Sequence, residues 1–234
     1  MFTGPNIVEE GLVLALDAGN TKSYPGTGTT WNDLSPSGYT FTTTSAPTFT
    51  TDNRGVSCFD FTNGNGEYFE STTNSPFSGN SFAISVMAVV NQNSTGNYHG
   101  VLTQHEQDTT DSMAFMSYNG KFGTDHWSPG GRRLTTSPGT NSILSVTWTI
   151  PQWSLHQADT TKIYINGVSQ TTEAYSVDTV GNLVSDKFRV GNWQLNRSDM
   201  DFDGQIYTIL AYNRALTASE VLQNYNATKT RFGL

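Results

Sequence analysis

Short runs of strand-like residues, separated at close intervals by turn residues, limit most strongly what this chain can fold into. The segments 82–90 (FAISVMAVV), 143–150 (ILSVTWTI) and 205–212 (QIYTILAY) are rich in β-branched and aromatic residues. The first is apolar on both alternating faces, which predicts a strand covered on both sides. Asn119-Gly120 and Asn166-Gly167 mark tight turns, and the second lies between two strand-like runs, as in a β-hairpin. This punctuation predicts an all-β sandwich or barrel.

The composition agrees with a single folded all-β domain. Of the 234 residues, 35% are apolar and 14% charged, and Thr, Ser, Asn and Gly make up the balance, which suits strands and turns. Cys58 is the single cysteine, so an intramolecular disulfide is excluded, and its apolar surroundings predict a buried, inert thiol. No composition break long enough for a linker occurs. We therefore expect an N-terminal arm, residues 1–10, that either docks onto a neighbouring subunit or frays, and one domain over 11–234.

One helix is expected, near the end of the chain. Thr217-Ala-Ser-Glu220 has the spacing of a capping box, in which the Thr hydroxyl and the Glu carboxylate satisfy each other's backbone amides. Behind it, Val221, Leu222 and Tyr225 share one side at helical spacing. The pattern predicts a short helix from about residue 218 to 228, docked by these three residues.

Charge and hydropathy argue against two classes of partner. The net charge is −8, and Arg132-Arg133 is the single pair of adjacent basic residues, so no basic stripe for nucleic acid exists. No apolar stretch approaches the ~18 residues of a membrane helix, so membrane insertion is not expected. The first residues, MFTGPNIVEEG, show neither the basic nor the apolar part of a secretory signal, so we expect synthesis in the cytoplasm without a signal peptide.

Several short motifs resemble laminin-G-like, concanavalin A-like lectin/glucanase domains, of the kind found in tailed-bacteriophage structural proteins. The resemblance covers about residues 11 to 230. Its pieces, in chain order, are GLVLALDAGN (11–20), SYPG (23–26), TWNDLS (30–35), FDF (59–61) with EYF (67–69), YING (164–167), FDGQI (202–206) and YNRALT (212–217).

The resemblance implies a two-sheet antiparallel jelly-roll sandwich, concanavalin A-like, with one short C-terminal helix. It also implies that the polar stretch 17–38 is an ordered loop across the sandwich, anchored by Trp31 and Leu34. In that loop, Asp17 and Asp33 are expected to accept backbone amides.

Concanavalin A-like folds include glucanases, so we considered catalysis. A retaining glycosidase needs two carboxyl groups about 5 to 5.5 Å apart. The close pairs Glu9 with Glu10 and Glu67 with Glu70 lie at spacings that point to opposite faces of a strand. The four histidines form no metal motif, and no Gly-x-Ser-x-Gly elbow occurs. We therefore expect a protein that is not an enzyme.

Glycan and calcium sites have sequence candidates. Sugar sites combine aromatic rings with polar side chains on loops. The candidates for glycan contact are Trp127, Arg132, Trp153, His156, Trp193 and Asn196, although tryptophan in a sandwich also serves as core. No cofactor is required by any motif. Calcium at the sandwich rim is left open, with Asp108, Asp111, Asp199 and Asp201 as candidate ligands or else solvated turn residues.

The resemblance implies a non-enzymatic virion surface protein of a tailed phage, such as a decoration, fibre or adhesion subunit, with weak host-glycan binding. Its partners would be other virion proteins, copies of itself and host surface glycans, and its location the virion. The alternative is a bacterial lectin or carbohydrate-binding module, and a glycoside hydrolase is third.

Overall fold

The computed structural model describes residues 6–93, 96, 98–104, 112–125, 133–135, 142–153, 160–174, 182–193 and 198–234. Two antiparallel sheets stack face to face, and one helix follows the last strand, which confirms the predicted jelly-roll sandwich. Among the helices of these residues, none combines the length and hydropathy needed to cross a membrane.

Sheet A contains eight strands. Their order is β14-β13-β12-β7-β17-β5-β4, and β1 also pairs with β17. The strands are β1 (Leu12–Asp17), β4 (Thr48–Thr51), β5 (Ser57–Phe61), β7 (Ile84–Gln92), β12 (Ile143–Ile150), β13 (Lys162–Ile165), β14 (Val168–Ser169) and β17 (Gly204–Tyr212).

Sheet B contains nine strands in the order β15-β11-β10-β9-β8-β16-β6-β3-β2. The strands are β2 (Thr30–Asn32), β3 (Thr40–Thr42), β6 (Phe69–Asn74), β8 (Tyr98–Gln104), β9 (Met113–Tyr118), β10 (Lys121–Asp125), β11 (Arg133–Thr135), β15 (Thr172–Ala174) and β16 (Lys187–Val190).

Aromatic rings fill the space between the sheets. Phe59 of sheet A has its ring centroid 4.6 Å from Trp31 and 4.8 Å from Phe69, both of sheet B. Such tilted contacts suit the charge distribution of aromatic rings and stabilise the core beyond the burial of their area. Strand β7 runs through the middle of sheet A, and its residues from Ile84 to Val90 are buried on both faces, as predicted. Cys58 is also buried, and desolvation raises the pKa of its thiol to about 12, in line with the predicted inert thiol.

The polar stretch 17–38 is the ordered loop that was expected. Asp33 accepts hydrogen bonds from the backbone amides of Ala15 at 2.7 Å and Tyr39 at 3.0 Å, and the Trp31 ring is fully buried. Asp17 likewise accepts from a backbone amide within the loop. The prediction for Leu34 is wrong: its side chain is 40% exposed. Leu34 holds the loop through its backbone N–H, which donates to the carbonyl of Ala15.

Helix α1 (Ala218–Phe232) begins at the predicted capping box and is longer than predicted. Its buried residues are Val221, Asn224 and Phe232, whereas Leu222 is 47% exposed, so the predicted docking face is wrong at Leu222. The reason is a polar anchor. Asn224 accepts a hydrogen bond from the Val8 amide at 2.8 Å and donates to the Tyr212 hydroxyl at 3.0 Å, so the Asn224 side of the helix faces sheet A.

The described part of the N-terminal arm lies against α1. The carbonyl of Asn6 accepts from Gln223, and the carbonyl of Glu10 accepts from Arg214. Residues 1–5 lie outside the described residues, and their docking onto a neighbouring subunit stays a prediction. Helix α1 and this arm together cover the outer face of sheet A.

The start of α1 makes the stability of the protein depend on pH. Arg214, at 2.6 Å from Glu220, and the hydroxyl and amide of Thr217 lower the pKa of the Glu220 carboxyl from 4.5 to about 2. A lowered pKa in the folded state means that the ionised carboxylate stabilises the fold above pH 4.5 and that this contribution is lost as the pH falls towards 2. We expect Glu220→Gln to be less stable than the wild type at neutral pH, and the two proteins to converge under acid conditions. Urea unfolding across this pH window measures the difference; a constant difference would contradict the assignment.

Candidate functional site

The outer face of sheet B, called here the open face, carries a small apolar cluster at its centre, in which Tyr98 and Tyr118 are partly exposed. The buried members of this cluster are Ala114, Met116, Leu134, Trp193 and Met200. Side chains of β9 alternate, so that Phe115 enters the core and Met116 and Tyr118 point outward. Tyr98 of β8 is the cross-strand partner of Tyr118, and their ring centroids are 4.6 Å apart. Both rings are half-buried, so each keeps part of its surface in contact with solvent.

The segment after β16 crosses β8 on this face and supports the tyrosines. A Cβ on Gly100 would lie only 2.7 Å from the Asn192 backbone, so the crossing requires glycine there. The hydroxyl of Thr103 donates to the Asn192 carbonyl at 2.9 Å. The Trp193 ring then lies 5.1 Å from the Tyr98 ring and is 1% exposed. Trp193, a predicted sugar-stacking residue, is therefore buried behind Tyr98 and offers no ring face to solvent.

Ion pairs also lie on the open face, and one of them is next to the tyrosine pair. Lys121, which is the cross-strand partner of Tyr118, lies 2.7 Å from Glu173. Farther along the sheet, Glu70 binds Arg189 at 2.7 Å and Lys187 at 2.9 Å. The Lys121–Glu173 pair places a charged donor and a charged acceptor beside an aromatic surface, the combination by which proteins bind hydroxyl-rich ligands.

The other tryptophan candidate among the described residues, Trp153, is also core. Its ring is 1% exposed and stacks on Phe82 at 5.5 Å with an interplanar angle of 11°. A ring this deeply buried has no free face for a sugar.

The remaining glycan candidates, Trp127, Arg132, His156 and Asn196, lie outside the described residues. The described residues that precede two of them, Asp125 before Trp127 and Trp153 before His156, lie at one end of the sandwich. Asp125, which precedes Trp127, lies two strands from Thr103 in one row of sheet B. The adjacent Gln104 donates to the Phe77 carbonyl, and Phe77 packs on Phe82, the partner of Trp153.

Two of the four calcium candidates lie outside the described residues and two lie within them. Asp108 and Asp111 lie outside the described residues, and Asp199 is exposed. Asp201 is fully buried and accepts hydrogen bonds from Asn192 at 2.5 Å and from the Gly66 amide at 2.7 Å. Its burial raises the pKa of the carboxyl above the usual range. Asp201 thus links two loops. Within the described chain, no group of three or more His, Cys, Asp or Glu residues is placed to hold a metal.

Two of the four carboxylates considered for catalysis are held by protein groups, and the other two, Glu9 and Glu10, are exposed. Glu67 accepts from the Thr62 amide and from Asn65, and Glu70 is held by the two cations described above. That the protein is not an enzyme stays a prediction.

Sequence reasoning missed Tyr98, Tyr118, Lys121 and Glu173. One signal was available: Tyr118 and Lys121 flank the Asn119-Gly120 turn, so a hairpin there makes them cross-strand neighbours. The positions of Tyr98 and Glu173 depend on strand pairings that no local pattern indicates.

Comparison with known proteins identifies the family. The model of the concanavalin A-like lectin/glucanases superfamily, of the laminin G type, matches residues 63–222. The chain belongs to this superfamily. No curated protein sequence matches the chain closely enough to be called a relative.

Solved structures share the fold at low identity. The binding domain of botulinum neurotoxin serotype D superposes with a TM-score of 0.63 at 14% identity, covering 96% of this chain and 52% of that one. A sialidase of Trypanosoma rangeli, in complex with 2,3-difluorosialic acid, gives 0.59 at 13%, covering 93% and 33%. Domain 4 of AbnA, a GH43 extracellular arabinanase from Geobacillus stearothermophilus, in complex with arabinotriose, gives 0.60 at 16%, covering 93% and 100%. The chain spans a third to a half of the first two structures, and these likenesses establish the fold alone.

Proposed function

We propose that this protein is a non-enzymatic carbohydrate-binding protein that holds glycan on the open face of sheet B. The observation that carries the proposal is the half-buried Tyr98–Tyr118 pair, supported from behind by Trp193 and flanked by the Lys121–Glu173 ion pair. A pyranose stacks its apolar face on such rings, while its hydroxyl groups exchange hydrogen bonds with the charged side chains. The buried Trp193 keeps the Tyr98 ring from reorienting, so little side-chain freedom remains to be lost on binding.

The fold supports this function without deciding it. Two of the similar structures are complexes with sugars, and the superfamily description includes lectins and glucanases. Trp127, Arg132, His156 and Asn196 remain predicted contributors to glycan contact.

The setting that we propose is the surface of a tailed-phage virion, as a decoration, fibre or adhesion subunit bound to other virion proteins or to copies of itself. This part rests on the sequence resemblance alone, chiefly SYPG at 23–26 and KTRFG at 229–233. The second candidate is a bacterial lectin or the carbohydrate-binding module of a larger system. It is favoured by the arabinanase domain, which this fold covers over its full length.

The binding proposal predicts a specific loss. Tyr118→Ala removes half of the stacking surface, and we expect it to weaken affinity roughly fivefold, since an aromatic contact contributes about 1 kcal/mol. The probe is the polysaccharide with the strongest signal on a glycan array, and the measurement is isothermal titration calorimetry.

Tyr225→Ala is the matched control, because Tyr225 is a half-buried tyrosine on α1, on the other side of the sandwich. Equal affinity of Tyr118→Ala and the wild type would overturn the open face as the site. Release of new reducing ends from the bound polysaccharide would overturn the non-enzymatic part.

We also propose that no cofactor is needed, because the Asp201 oxygens are already hydrogen-bonded within the protein. The midpoint of thermal unfolding should then be the same in millimolar calcium and in chelator. A ligand that binds only the native state must raise the midpoint, so a rise with calcium would contradict this proposal and leave Asp108, Asp111 and Asp199 as the candidate ligands.

The virion setting predicts that peptides of this protein are abundant in density-purified phage particles from the source culture, and that immunogold labels the head or tail. Peptide mass spectrometry of the purified particles tests this prediction. Protein found only free or on cells would reject the virion setting and favour the bacterial lectin.

A further inference from the structure

A polar cleft of about 410 Å³ opens on the side of the sandwich opposite the open face, where α1 ends. Its walls include Asn91 of β7, Gln205 and Tyr207 of β17, and the turn that carries Asp52 and Arg54. The volume is within the range of small-molecule sites. The cleft shares no residue with the open face, and none of its residues was a sequence candidate.

A hydrogen-bond network gives the cleft a rigid wall. Asn91 and Gln205 are cross-strand partners, and the Asn91 Nδ2 donates to the Gln205 Oε1 at 3.2 Å. The Tyr207 hydroxyl lies 2.9 Å from the same oxygen and 3.2 Å from the Asp52 Oδ2. Arg54 holds Asp52 at 2.8 Å and donates to the Phe232 carbonyl at 2.9 Å, which ties the wall to the end of α1.

Two polar atoms of this wall lack a protein partner. The Asn91 Oδ1 is buried and accepts no hydrogen bond from any residue that the structure describes. The Nε2 of Gln205 makes none within the same set of residues, whereas its Oε1 accepts from both Asn91 and Tyr207. Gln205 is only partly buried, so its free Nε2 carries no such penalty, whereas leaving the buried Asn91 Oδ1 unpaired costs free energy. Buried unpaired atoms of this kind are unusual in folded proteins and mark places where a ligand or water binds.

The geometry points to a second ligand site in this cleft, for one monosaccharide unit that presents two neighbouring hydroxyl groups. One hydroxyl accepts from the Gln205 Nε2, and its neighbour donates to the Asn91 Oδ1 once the amide of this partly exposed residue turns towards the cleft, because a hydroxyl group can do either. A neutral ligand is favoured since Asp52 and Arg54 neutralise each other in the wall. Because the two sites lie on opposite sides of the sandwich, this site does not depend on the binding proposed for the open face.

Side-chain amide resonances test the cleft directly. Assigned ¹⁵N-¹H spectra of the full chain are recorded while methyl α-D-glucopyranoside, methyl α-D-galactopyranoside and methyl α-D-mannopyranoside are added singly. We expect the side-chain NH₂ signals of Asn91 and Gln205 to shift together and to saturate with at least one sugar. Cyclohexanol, which has a single hydroxyl group, should leave them in place.

A pair of matched variants completes the experiment. Gln205→Met keeps the length of the side chain and removes its hydrogen-bonding groups, and we expect about tenfold weaker binding, measured on the Asn91 signal. Gln170→Met makes the same change at a glutamine outside the cleft lining and should bind as the wild type does. Equal binding by both variants would overturn the site.

The outcomes separate this site from the open face. Unmoved Asn91 and Gln205 signals at about 100 mM sugar, a hundredfold above a millimolar Kd, would mean that the cleft holds only water, and the proposal would fail. Shifts confined to Tyr98, Tyr118 and their neighbours would likewise reject the cleft while supporting the open face. Shifts in the cleft alone would support it even where Tyr118→Ala has no effect.

Discussion

The antiparallel pairing of β7 with β17 is the contact on which the rest of the structure depends. It joins residues more than a hundred positions apart, and it places β17 between β7, β5 and β1 in the centre of sheet A. Gly204 makes the pairing sterically allowed, because a Cβ there would lie 2.1 Å from the Asn91 carbonyl oxygen. This pairing determines the position of α1, which follows β17 in the chain. It also brings Asn91 and Gln205 together in the cleft.

The two outer faces of the sandwich are used differently. Helix α1 and the arm cover most of sheet A and leave the polar cleft at one end of the helix. Sheet B keeps a half-buried aromatic pair with one ion pair beside it. The difference arises from Asn224, whose two hydrogen bonds join the arm, the helix and Tyr212 of β17. A polar anchor in an otherwise apolar contact orients the helix, because any other rotation would leave the buried amide unpaired.

Aromatic residues are divided by their tertiary surroundings, since Tyr207 and Tyr212 are as deeply buried as the tryptophans. Trp31, Trp148, Trp153 and Trp193, which are the tryptophans among the described residues, are at most 1% exposed. Tyr98 and Tyr118 stay at the surface, where a phenol ring offers both an apolar face and a hydroxyl group. Composition alone could not assign these roles. Trp153 is buried by Phe82, some seventy residues away, and Trp193 is buried because Gly100 lets its segment cross β8.

The sequence by itself determined the elements whose signals are local. Three predicted features depend only on neighbouring residues. They are the capping box of α1, the Asn166-Gly167 hairpin with its positive φ angles, and strand β7, which is buried on both faces. The loop anchors Trp31 and Asp33 were predicted from the resemblance to laminin-G-like domains. Only the tertiary structure decided which face of α1 docks, which aromatic rings are buried and which polar groups meet in the cleft. Those outcomes depend on pairings between strands that are distant in the chain. An alternating sequence pattern shows which side chains share one face of a strand, but it does not show which element will cover that face.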